Sequence, residues 1–251
     1  MIEVKAVSRY FAGKGEPFLA LNNVDFRMDR GEFVCLLGRS GCGKTTLLHL
    51  LAGFIAPSAG EVLIDGKRIT KPAPDRSVVF QEYALFPWMS AIQNVSFGLR
   101  SLNVGKAERY ERAMEALKMT RLEDQARRYP HELSGGQRQR VAVARSLVTR
   151  PSILLMDEPF AAVDALTRAE LQSDLLRIWK ETGVTILFIT HNIDEAIFLA
   201  QRVAVMRNGA IAGYRAIAAP YFRLRGSPEF AVEYRAIEEL LYGNIEELLE
   251  K

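Results

Sequence analysis

Residues 38–45 of the chain read Gly38-Arg39-Ser40-Gly41-Cys42-Gly43-Lys44-Thr45. They fit the pattern G-x-x-x-x-G-K-[ST], in which a glycine-rich turn leads from a strand into a helix. The apolar run Phe33 to Leu37 precedes the turn and predicts a buried strand, and a helix is predicted to begin at its end. Glycine lets the backbone curl so that successive N–H groups point inward at phosphate oxygens, and the helix adds the positive end of its dipole. The stretch therefore predicts an α/β fold with a phosphate-binding loop.

Several side chains of this loop have an expected task. Lys44 should reach the β- and γ-phosphates of a nucleotide, and Thr45 should ligate Mg²⁺. Cys42 is expected to give a backbone N–H and a small side chain rather than thiol chemistry, and Arg39 is either a phosphate contact or an exposed variable position. A turn that binds nothing is the alternative, but turning alone does not require lysine and threonine at these offsets. The other nucleotide-binding candidates here are Gly38, Ser40, Gly41, Gly43 and Thr46.

A second buried strand is predicted over Ile153 to Met156, and it is followed by Asp157 and Glu158. The carboxyl ends of parallel strands meet at one edge of a sheet, where ligands of such folds bind. We therefore expect both carboxylates to face the phosphate loop. Asp157 suits the Mg²⁺ shell, and Glu158 is the candidate general base or water-positioning group for attack on the γ-phosphate. Acidic residues after a strand also cap the following helix, which is the alternative for this pair taken alone.

The rest of the chain predicts further strands and one long helical segment. Val78 to Phe80 and Thr185 to Ile189 are short apolar runs without alternation, typical of strands buried on both faces of a parallel sheet. Asp65-Gly66 and Asn208-Gly209 each separate two apolar runs and predict hairpin turns, and hence some antiparallel sheet. Residues 83–150 show patchy helical periodicity and no comparable strand signal, which predicts a helical subdomain inserted into the α/β body.

The C-terminal part carries a different pattern. Beyond Gly213 the strand signal weakens, and isoleucine and leucine then recur at helical spacing from Ile237 to Leu249. Asn244, with Glu247 three residues on, is expected to cap a final short helix. The predicted organisation is one domain over residues 1–213 and a helical extension over residues 214–251.

Composition bounds the class of protein. The 251 residues are 49% hydrophobic and 25% charged, which is typical of a globular protein. A net charge of +3, from 33 basic and 30 acidic residues, gives no argument for a nucleic-acid partner. No apolar stretch has the length of a membrane span and the start lacks a signal-peptide core, so any work at a membrane is expected to be peripheral. The two cysteines suggest a reducing compartment rather than a disulfide framework.

Leu133-Ser134-Gly135-Gly136-Gln137, before Arg138 to Arg145, resembles the signature motif of ABC ATPases. Ser134 and the glycines before a helix form a second anion site, and a single nucleotide has little use for both sites at once. The resemblance resolves this because ABC cassettes pair head to tail, so that each signature motif closes on the ATP of the partner. It implies that Ser134, Gly135, Gly136 and Gln137 bind the nucleotide held by a second copy.

Further landmarks of the family follow in order. Gln81 resembles the glutamine that senses Mg²⁺ and the attacking water and that links to the helical subdomain. Ala161-Ala162-Val163-Asp164 resembles the D-loop, with Val163 where leucine is commoner, and Asp164 is its nucleotide-site residue. His191 resembles the switch histidine that contacts the γ-phosphate. The resemblance implies a P-loop NTPase core of the RecA-like type with a parallel sheet, an N-terminal antiparallel β subdomain and the inserted helical subdomain.

Phe11 resembles the aromatic residue that stacks on adenine, and Tyr10, one residue away, is the competitor. The segments Asp75 to Trp88 and Tyr129 to Glu132 resemble the nitrate, sulfonate and taurine importer branch. Here Asn192 stands where that branch often has aspartate, and Gln201 precedes Arg202 where aspartate is common.

The resemblance implies an ATP- and Mg²⁺-dependent ATPase subunit that energises import of a small anionic solute. The expected partners are a second copy, separate permease subunits and, indirectly, a solute-binding protein, at the cytoplasmic face of the cell membrane. Gln81 to Trp88 is the candidate permease-facing segment, with packing inside the helical subdomain as the alternative. A non-transport ABC ATPase and a single-site P-loop enzyme are the other functional classes. The first usually has tandem cassettes or a coiled-coil insertion, and the second gives the signature segment no task.

Overall fold

The computed structural model describes residues 1–13, 17–218 and 225–243. These residues form two compact units, the first made of Met1–Ala73 together with the chain from Thr185 onward, and the second of Pro74–Val184. No helix among the described residues is both long enough and apolar enough to cross a membrane.

The first unit contains an antiparallel sheet in the order β2-β1-β4-β5. Its strands are β1 (Ile2–Phe11), β2 (Phe18–Met28), β4 (Ala59–Ile64) and β5 (Lys67–Arg68). Asp65 and Gly66 join β4 to β5 with φ angles of 50° and 74°, the two positive values that a type I′ turn requires. The predicted hairpin is confirmed.

The same unit contains parallel strands that carry the phosphate loop. The strand β3 (Phe33–Leu37) is wholly buried and pairs in parallel with β8 (Thr185–Thr190) on one side and β9 (Arg202–Arg207) on the other. The strand β10 (Ala210–Ala216) returns antiparallel to β9 through Asn208 and Gly209, whose φ angles are 50° and 78°. This second predicted hairpin is confirmed, although β10 continues past the predicted weakening at Gly213.

The described residues of the first unit also form three α-helices. They are α1 (Lys44–Ala52), α6 (Ile193–Leu199) and α7 (Pro228–Tyr242). The helix α7 buries Phe230, Ile237 and Leu241, which explains the helical spacing read from the sequence. The predicted cap at Asn244 and Glu247 lies outside the described residues.

The second unit pairs two strands in parallel and adds four helices. The strands are β6 (Arg76–Val79) and β7 (Ile153–Asp157), and the helices are α2 (Ala91–Ser96), α3 (Lys106–Met119), α4 (Gly135–Leu147) and α5 (Ala165–Thr182). The described residues between β6 and β7 form helices and turns and no strand, as predicted for residues 83–150. The core between α2, α3 and α4 is built on Val95, Leu99, Leu117 and Val141.

Candidate functional site

The phosphate loop leaves the end of β3 and curls tightly before α1. Gly43 precedes the helix with a φ of 104°, where residues with a side chain are strained. A Cβ at Gly43 would lie 2.6 Å from the carbonyl oxygen of Ala20, and one at Gly38 would lie 2.5 Å from that of Met206. Gly41, with a φ of 79°, has open space around it. The neighbouring strands therefore require glycine at 38 and 43, whereas Gly41 faces the space that a ligand could use.

The side chain of Lys44 lies along the inside of this curl. It is only 5% exposed, and its Nζ donates to the carbonyl oxygens of Gly38 at 2.7 Å and Arg39 at 3.0 Å. An ammonium group can be buried when strong acceptors surround it. The lysine is thus held at the mouth of a loop whose backbone curls round it, as expected of a group that meets phosphate.

Cys42 ties the loop to the rest of the unit through its backbone. Its carbonyl oxygen accepts from the N–H of Gly209 at 3.1 Å, and its own N–H donates to Arg39 at 3.3 Å. Burial raises the pKa of the Cys42 thiol, while the charge of Lys44 opposes that shift. Burial therefore favours the neutral thiol over the thiolate.

A cavity of about 480 Å³ lies beside the loop in the first unit. Its walls come from the start of β2, the loop itself, the β9–β10 turn and the end of α7. The lining residues are Phe18, Leu19, Ala20, Arg39, Ser40, Gly41, Cys42, Met206, Arg207, Asn208, Gly209 and Leu241.

His191 follows the strand next to the one that feeds the loop. Leu37 and Thr190 are paired in register in the parallel ladder of β3 and β8, so Gly38 and His191 leave the sheet at the same edge. Thr190 donates its hydroxyl to the buried carboxylate of Glu195 at 2.6 Å and accepts from the N–H of Asn192 at 3.0 Å. These bonds fix the backbone on both sides of His191, which is itself exposed.

The adenine-stacking candidates lie at the end of β1, and both are solvent-accessible. Tyr10 is 48% exposed and Phe11 is 36% exposed. The guanidinium of Arg9 lies 4.7 Å from the centre of the Phe11 ring and donates to the carbonyl oxygen of Ala56 at 3.0 Å. One face of Phe11 is therefore covered. Phe18, its partner in the β1–β2 ladder, lines the cavity described above.

In the second unit, Gln81 and the carboxylate pair leave neighbouring strands. Val79 and Met156 are paired in register in the parallel ladder of β6 and β7. Gln81 lies two residues beyond Val79, and Asp157 and Glu158 come directly after Met156. Their backbones therefore leave this pair of strands at one edge.

Glu158 has an unusual backbone conformation. Its φ of 42° places a non-glycine residue in the left-handed region, which costs about 1–2 kcal/mol. Its carbonyl oxygen accepts from the N–H of Ala161 at 3.2 Å, so a tight turn begins at this residue. The sequence gives no signal for this strain, which is characteristic of functional sites.

The signature segment begins α4, and one detail differs from the expectation. Gly135 and Gly136 are the first two residues of the helix rather than residues before it, because Ser134 already serves as the N-cap. Ser134 Oγ accepts from the N–H of Gln137 at 3.2 Å, and Gln137 Oε1 accepts from the N–H of Ser134 at 2.9 Å. This capping box satisfies two backbone donors at the positive end of a helix.

Asp164 begins the neighbouring helix α5 in a similar way. Its carboxylate accepts from the N–H of Thr167 at 3.0 Å, and the hydrogen bonds from Thr167 lower its pKa. A Cβ added to Gly136 would collide with the methyl group of Thr167. The first turns of α4 and α5 are thus packed together, and glycine at 136 allows that approach.

The sequence does not predict the structural roles of two supporting residues. Gln201 accepts from the N–H of Phe33 at 3.1 Å, so it fixes the start of the strand that feeds the loop. Asn192 caps α6 by accepting from the N–H of Glu195 at 3.1 Å, a task that aspartate performs equally well. Both departures from the importer branch therefore have a structural role.

The sequence of the chain matches a known protein family and several relatives. Residues 21–161 match the family described as ABC transporter. The nitrate import ATP-binding protein NrtD of Synechocystis sp. is 43% identical over 253 residues, which cover 96% of this chain and 95% of that protein. The bicarbonate transport ATP-binding protein CmpD of Synechocystis sp. is 46% identical over 210 residues, covering 83% and 74%.

Two solved structures of ABC cassettes are similar to this chain in fold and in sequence. A dimeric bacterial ABC transporter cassette has a TM-score of 0.79 at 34% identity, covering 88% of this chain and 100% of that one. A dimeric post-hydrolysis cassette bound to ADP and Pi has a TM-score of 0.78 at 33% identity with the same coverage. The predicted fold class, a P-loop NTPase core with antiparallel β and helical additions, is confirmed.

Proposed function

The chain belongs to the ABC transporter family and is an ATPase of that family, and from this premise we propose that it powers import of a small oxyanion through a separate permease. The observation that carries the ATPase part of the proposal is that one chain offers two helix N-termini suited to phosphate. One follows the glycine loop at Lys44, and the other begins at Gly135 behind the Ser134 cap. Two such sites are useful when two copies share each nucleotide.

The first unit supplies the grip on ATP. Lys44, now bonded to loop carbonyls, exchanges those acceptors for the β- and γ-phosphate oxygens, and the loop N–H groups and Thr46 hold the rest of the triphosphate. Ser40 and Arg39 lie at the open side of the loop. Phe11 stacks its uncovered face on adenine, with Tyr10 as the competing ring.

Each unit contributes oxygen donors of the kind that Mg²⁺ prefers. Thr45 at the start of α1 offers a hydroxyl, Asp157 a carboxylate and Gln81 an amide oxygen. Mg²⁺ is held through one or two carboxylates together with substrate phosphates, so a larger acidic cluster is not needed. No cluster of three or more histidine, cysteine or acidic side chains suited to a metal is found in the part of the chain described. When bound, Mg²⁺ neutralises charge that develops on the transferred phosphoryl group.

Chemistry is assigned to three side chains. Glu158 positions the attacking water and accepts its proton, Gln81 orients that water, and His191 donates to the γ-phosphate. The strained turn at Glu158 and the bonds on either side of His191 hold both backbones in place before substrate arrives. Removing the Glu158 carboxylate should leave binding intact and stop turnover.

A second copy completes each site. The signature residues Ser134 to Gln137 meet the γ-phosphate of ATP held by the other copy, and Asp164 lies at the same junction. Because the first turns of α4 and α5 are packed together, these residues approach the other copy as one surface. Closure of the dimer on ATP then pulls the permease, and hydrolysis reopens it.

The permease-facing surface lies within Gln81 to Trp88, in the second unit. Trp88 is 70% exposed, whereas Phe86 packs on Phe97 with ring centres 4.6 Å apart. The exposed indole of Trp88 is the proposed contact with the permease. Phe86 packs against its own unit, as the alternative interpretation of this segment expects. A chain docked there works peripherally at the cytoplasmic face of the cell membrane, with a solute-binding protein acting through the permease.

The names of the relatives favour one class of transported solute. The names of two similar proteins refer to nitrate and bicarbonate, both small planar oxyanions. We therefore favour that class over the sulfonate and taurine that the branch resemblance also includes. ATP-dependent uptake into vesicles that hold the cognate permease, with nitrate, bicarbonate and taurine as competing solutes, tests the choice.

The test of the ATPase assignment compares two variants. Glu158→Gln should bind ATP normally, lose about 10²–10⁴-fold in kcat and accumulate an ATP-bound dimer in gel filtration. Lys44→Ala should instead weaken ATP binding. Glu181→Gln, an exposed carboxylate on the last turn of α5, is the matched control and should keep the wild-type rate. Unchanged turnover in Glu158→Gln would remove that residue from catalysis, and a specific activity independent of protein concentration would contradict the paired-copy proposal.

A further inference from the structure

Ala84, three residues beyond Gln81, has a strained backbone. Its φ of 47° lies in the left-handed region, which an alanine enters at a cost and glycine enters freely. Such a conformation persists only where the surroundings impose it. One side chain of α4 donates a hydrogen bond to the backbone carbonyl of Ala84.

That side chain is Arg145, in the last turn of the signature helix. Its Nη1 donates to the carbonyl oxygen of Ala84 at 2.6 Å, and its Nη2 donates to the carbonyl oxygen of Tyr83 at 3.1 Å. Its guanidinium also lies 5.9 Å from the centre of the Phe86 ring. Burial lowers the pKa of Arg145, and none of the contacts that the described residues give it is to a carboxylate. A half-buried guanidinium that donates two hydrogen bonds to carbonyl oxygens holds those carbonyls in place.

The side chain of Tyr83 extends the link to the other end of α4. Its ring lies 5.2 Å beneath the guanidinium of Arg138, and that guanidinium donates to the carbonyl oxygen of Leu133 at 3.0 Å. The Tyr83 hydroxyl oxygen is 3.1 Å from the place of a Cβ on Gly135. The tyrosine thus touches the signature turn itself.

The far end of the segment is equally fixed. Asn94 is fully buried and donates its amide to the carbonyl oxygens of Phe86 at 3.1 Å and Met89 at 2.9 Å, while its Oδ1 accepts from the N–H of Phe86 at 2.8 Å. Between Asn94 and Arg145, the segment has little freedom to move independently of α4.

We propose that Arg145 is a positioning residue, which holds the strained Tyr83–Ala84 turn and thereby sets the Tyr83 hydroxyl against Gly135 of the signature turn. This inference rests on the proposed function, in which that turn closes on ATP of a second copy. It assigns to Arg145 a role in closure of the dimer rather than in nucleotide binding by one copy.

The test is Arg145→Lys, because lysine keeps the charge but cannot bond two carbonyls with a rigid fork. Relaxation of the turn should raise the protein concentration for half-maximal ATPase activity about tenfold, the equivalent of about 1.4 kcal/mol. The affinity of one copy for a fluorescent ATP analogue should stay within about twofold, because the proposal gives Arg145 no contact with the nucleotide. Arg100→Lys, which loses only a ring contact 5.7 Å from Phe97, is the matched control and should behave as wild type.

A second change separates positioning from general damage. Adding Ala84→Gly to Arg145→Lys should restore most of the concentration dependence, because glycine adopts the positive φ without help. An Arg145→Lys variant with the wild-type concentration dependence overturns the proposal, as does a double variant that recovers nothing. A wild-type rate strictly proportional to protein concentration would instead reject the paired-copy function on which the inference rests.

Discussion

The variant Gly43→Ala tests how strongly the neighbouring strand determines the backbone conformation of the phosphate loop. Gly41→Ala is its matched control. Both glycines have positive φ, 104° and 79°, so both variants strain the backbone. Only at Gly43 does the new methyl group meet protein, 2.6 Å from the Ala20 carbonyl oxygen and 2.8 Å from a methyl carbon of Leu21. The comparison therefore reports the collision, together with any extra strain from a φ that lies further from the left-handed region.

The magnitude follows from these two terms. The positive φ costs each alanine about 1–2 kcal/mol. Forcing a methyl group into a packed site adds about 1–3 kcal/mol, which applies at Gly43 alone. The free energy of unfolding should therefore fall about 2 kcal/mol further in Gly43→Ala than in Gly41→Ala. For a chain of this size that difference lowers the melting temperature by about 4–8 °C.

Thermal unfolding without nucleotide, followed by circular dichroism, is the assay, because ligand contacts then play no part. A further titration with ATP should show weaker binding for Gly43→Ala. A shift of the backbone at residue 43 also shifts the N–H of Lys44, which begins the helix and is proposed to face the phosphates. Equal melting temperatures for the two variants would refute the reasoning. They would mean that the loop moves away from Ala20 without cost, and that the curl is not imposed by the neighbouring strand.

Two further predictions concern buried groups. Because burial raises the pKa of the Cys42 thiol, less thiolate is present at any given pH. Alkylation of Cys42 by iodoacetamide at pH 8 should therefore be slower than that of an exposed cysteine. The alkylation rate should increase as the pH rises beyond 9. Replacing Asp174 by alanine removes the buried ion-pair partner of Arg140 and leaves it, among the described residues, only the exposed carboxylate of Glu170, 3.5 Å away. The free energy of unfolding should fall by about 3 kcal/mol, visible as a lower melting temperature.

The sequence predicts well wherever a short local pattern determines the structure. The bounds of β3 agree with the apolar run Phe33 to Leu37, because all five side chains are buried on both faces of the sheet. Asp65-Gly66 and Asn208-Gly209 adopt the positive φ angles that make those dipeptides turn signals. The phosphate loop is likewise a local pattern, since strand, glycines and helix follow one another directly along the chain.

Prediction fails where a residue acts on a distant part of the chain. Arg145 belongs to a polar helix, and nothing in its neighbours indicates that it reaches carbonyl groups 61 and 62 residues away. The choice between Phe11 and Tyr10 is open for a related reason, because both rings end a strand and remain accessible. Which ring stacks depends on a ligand that no local pattern describes.

Two strained residues of the second unit lie in the proposed site, while Asn103, Arg121 and Arg150 have positive φ elsewhere in that unit. Glu158 and Ala84 both have positive φ, and each follows the carboxyl end of one strand of the β6–β7 pair. A relaxed extended backbone would carry the chain on in the direction of the strand, whereas a left-handed residue turns it sharply. The turn at Glu158 orients a carboxylate, and the turn at Ala84 presents Tyr83 to the signature helix. Both conformations cost free energy, so the surrounding bonds must impose them, and Arg145 supplies two such bonds at the Tyr83–Ala84 turn.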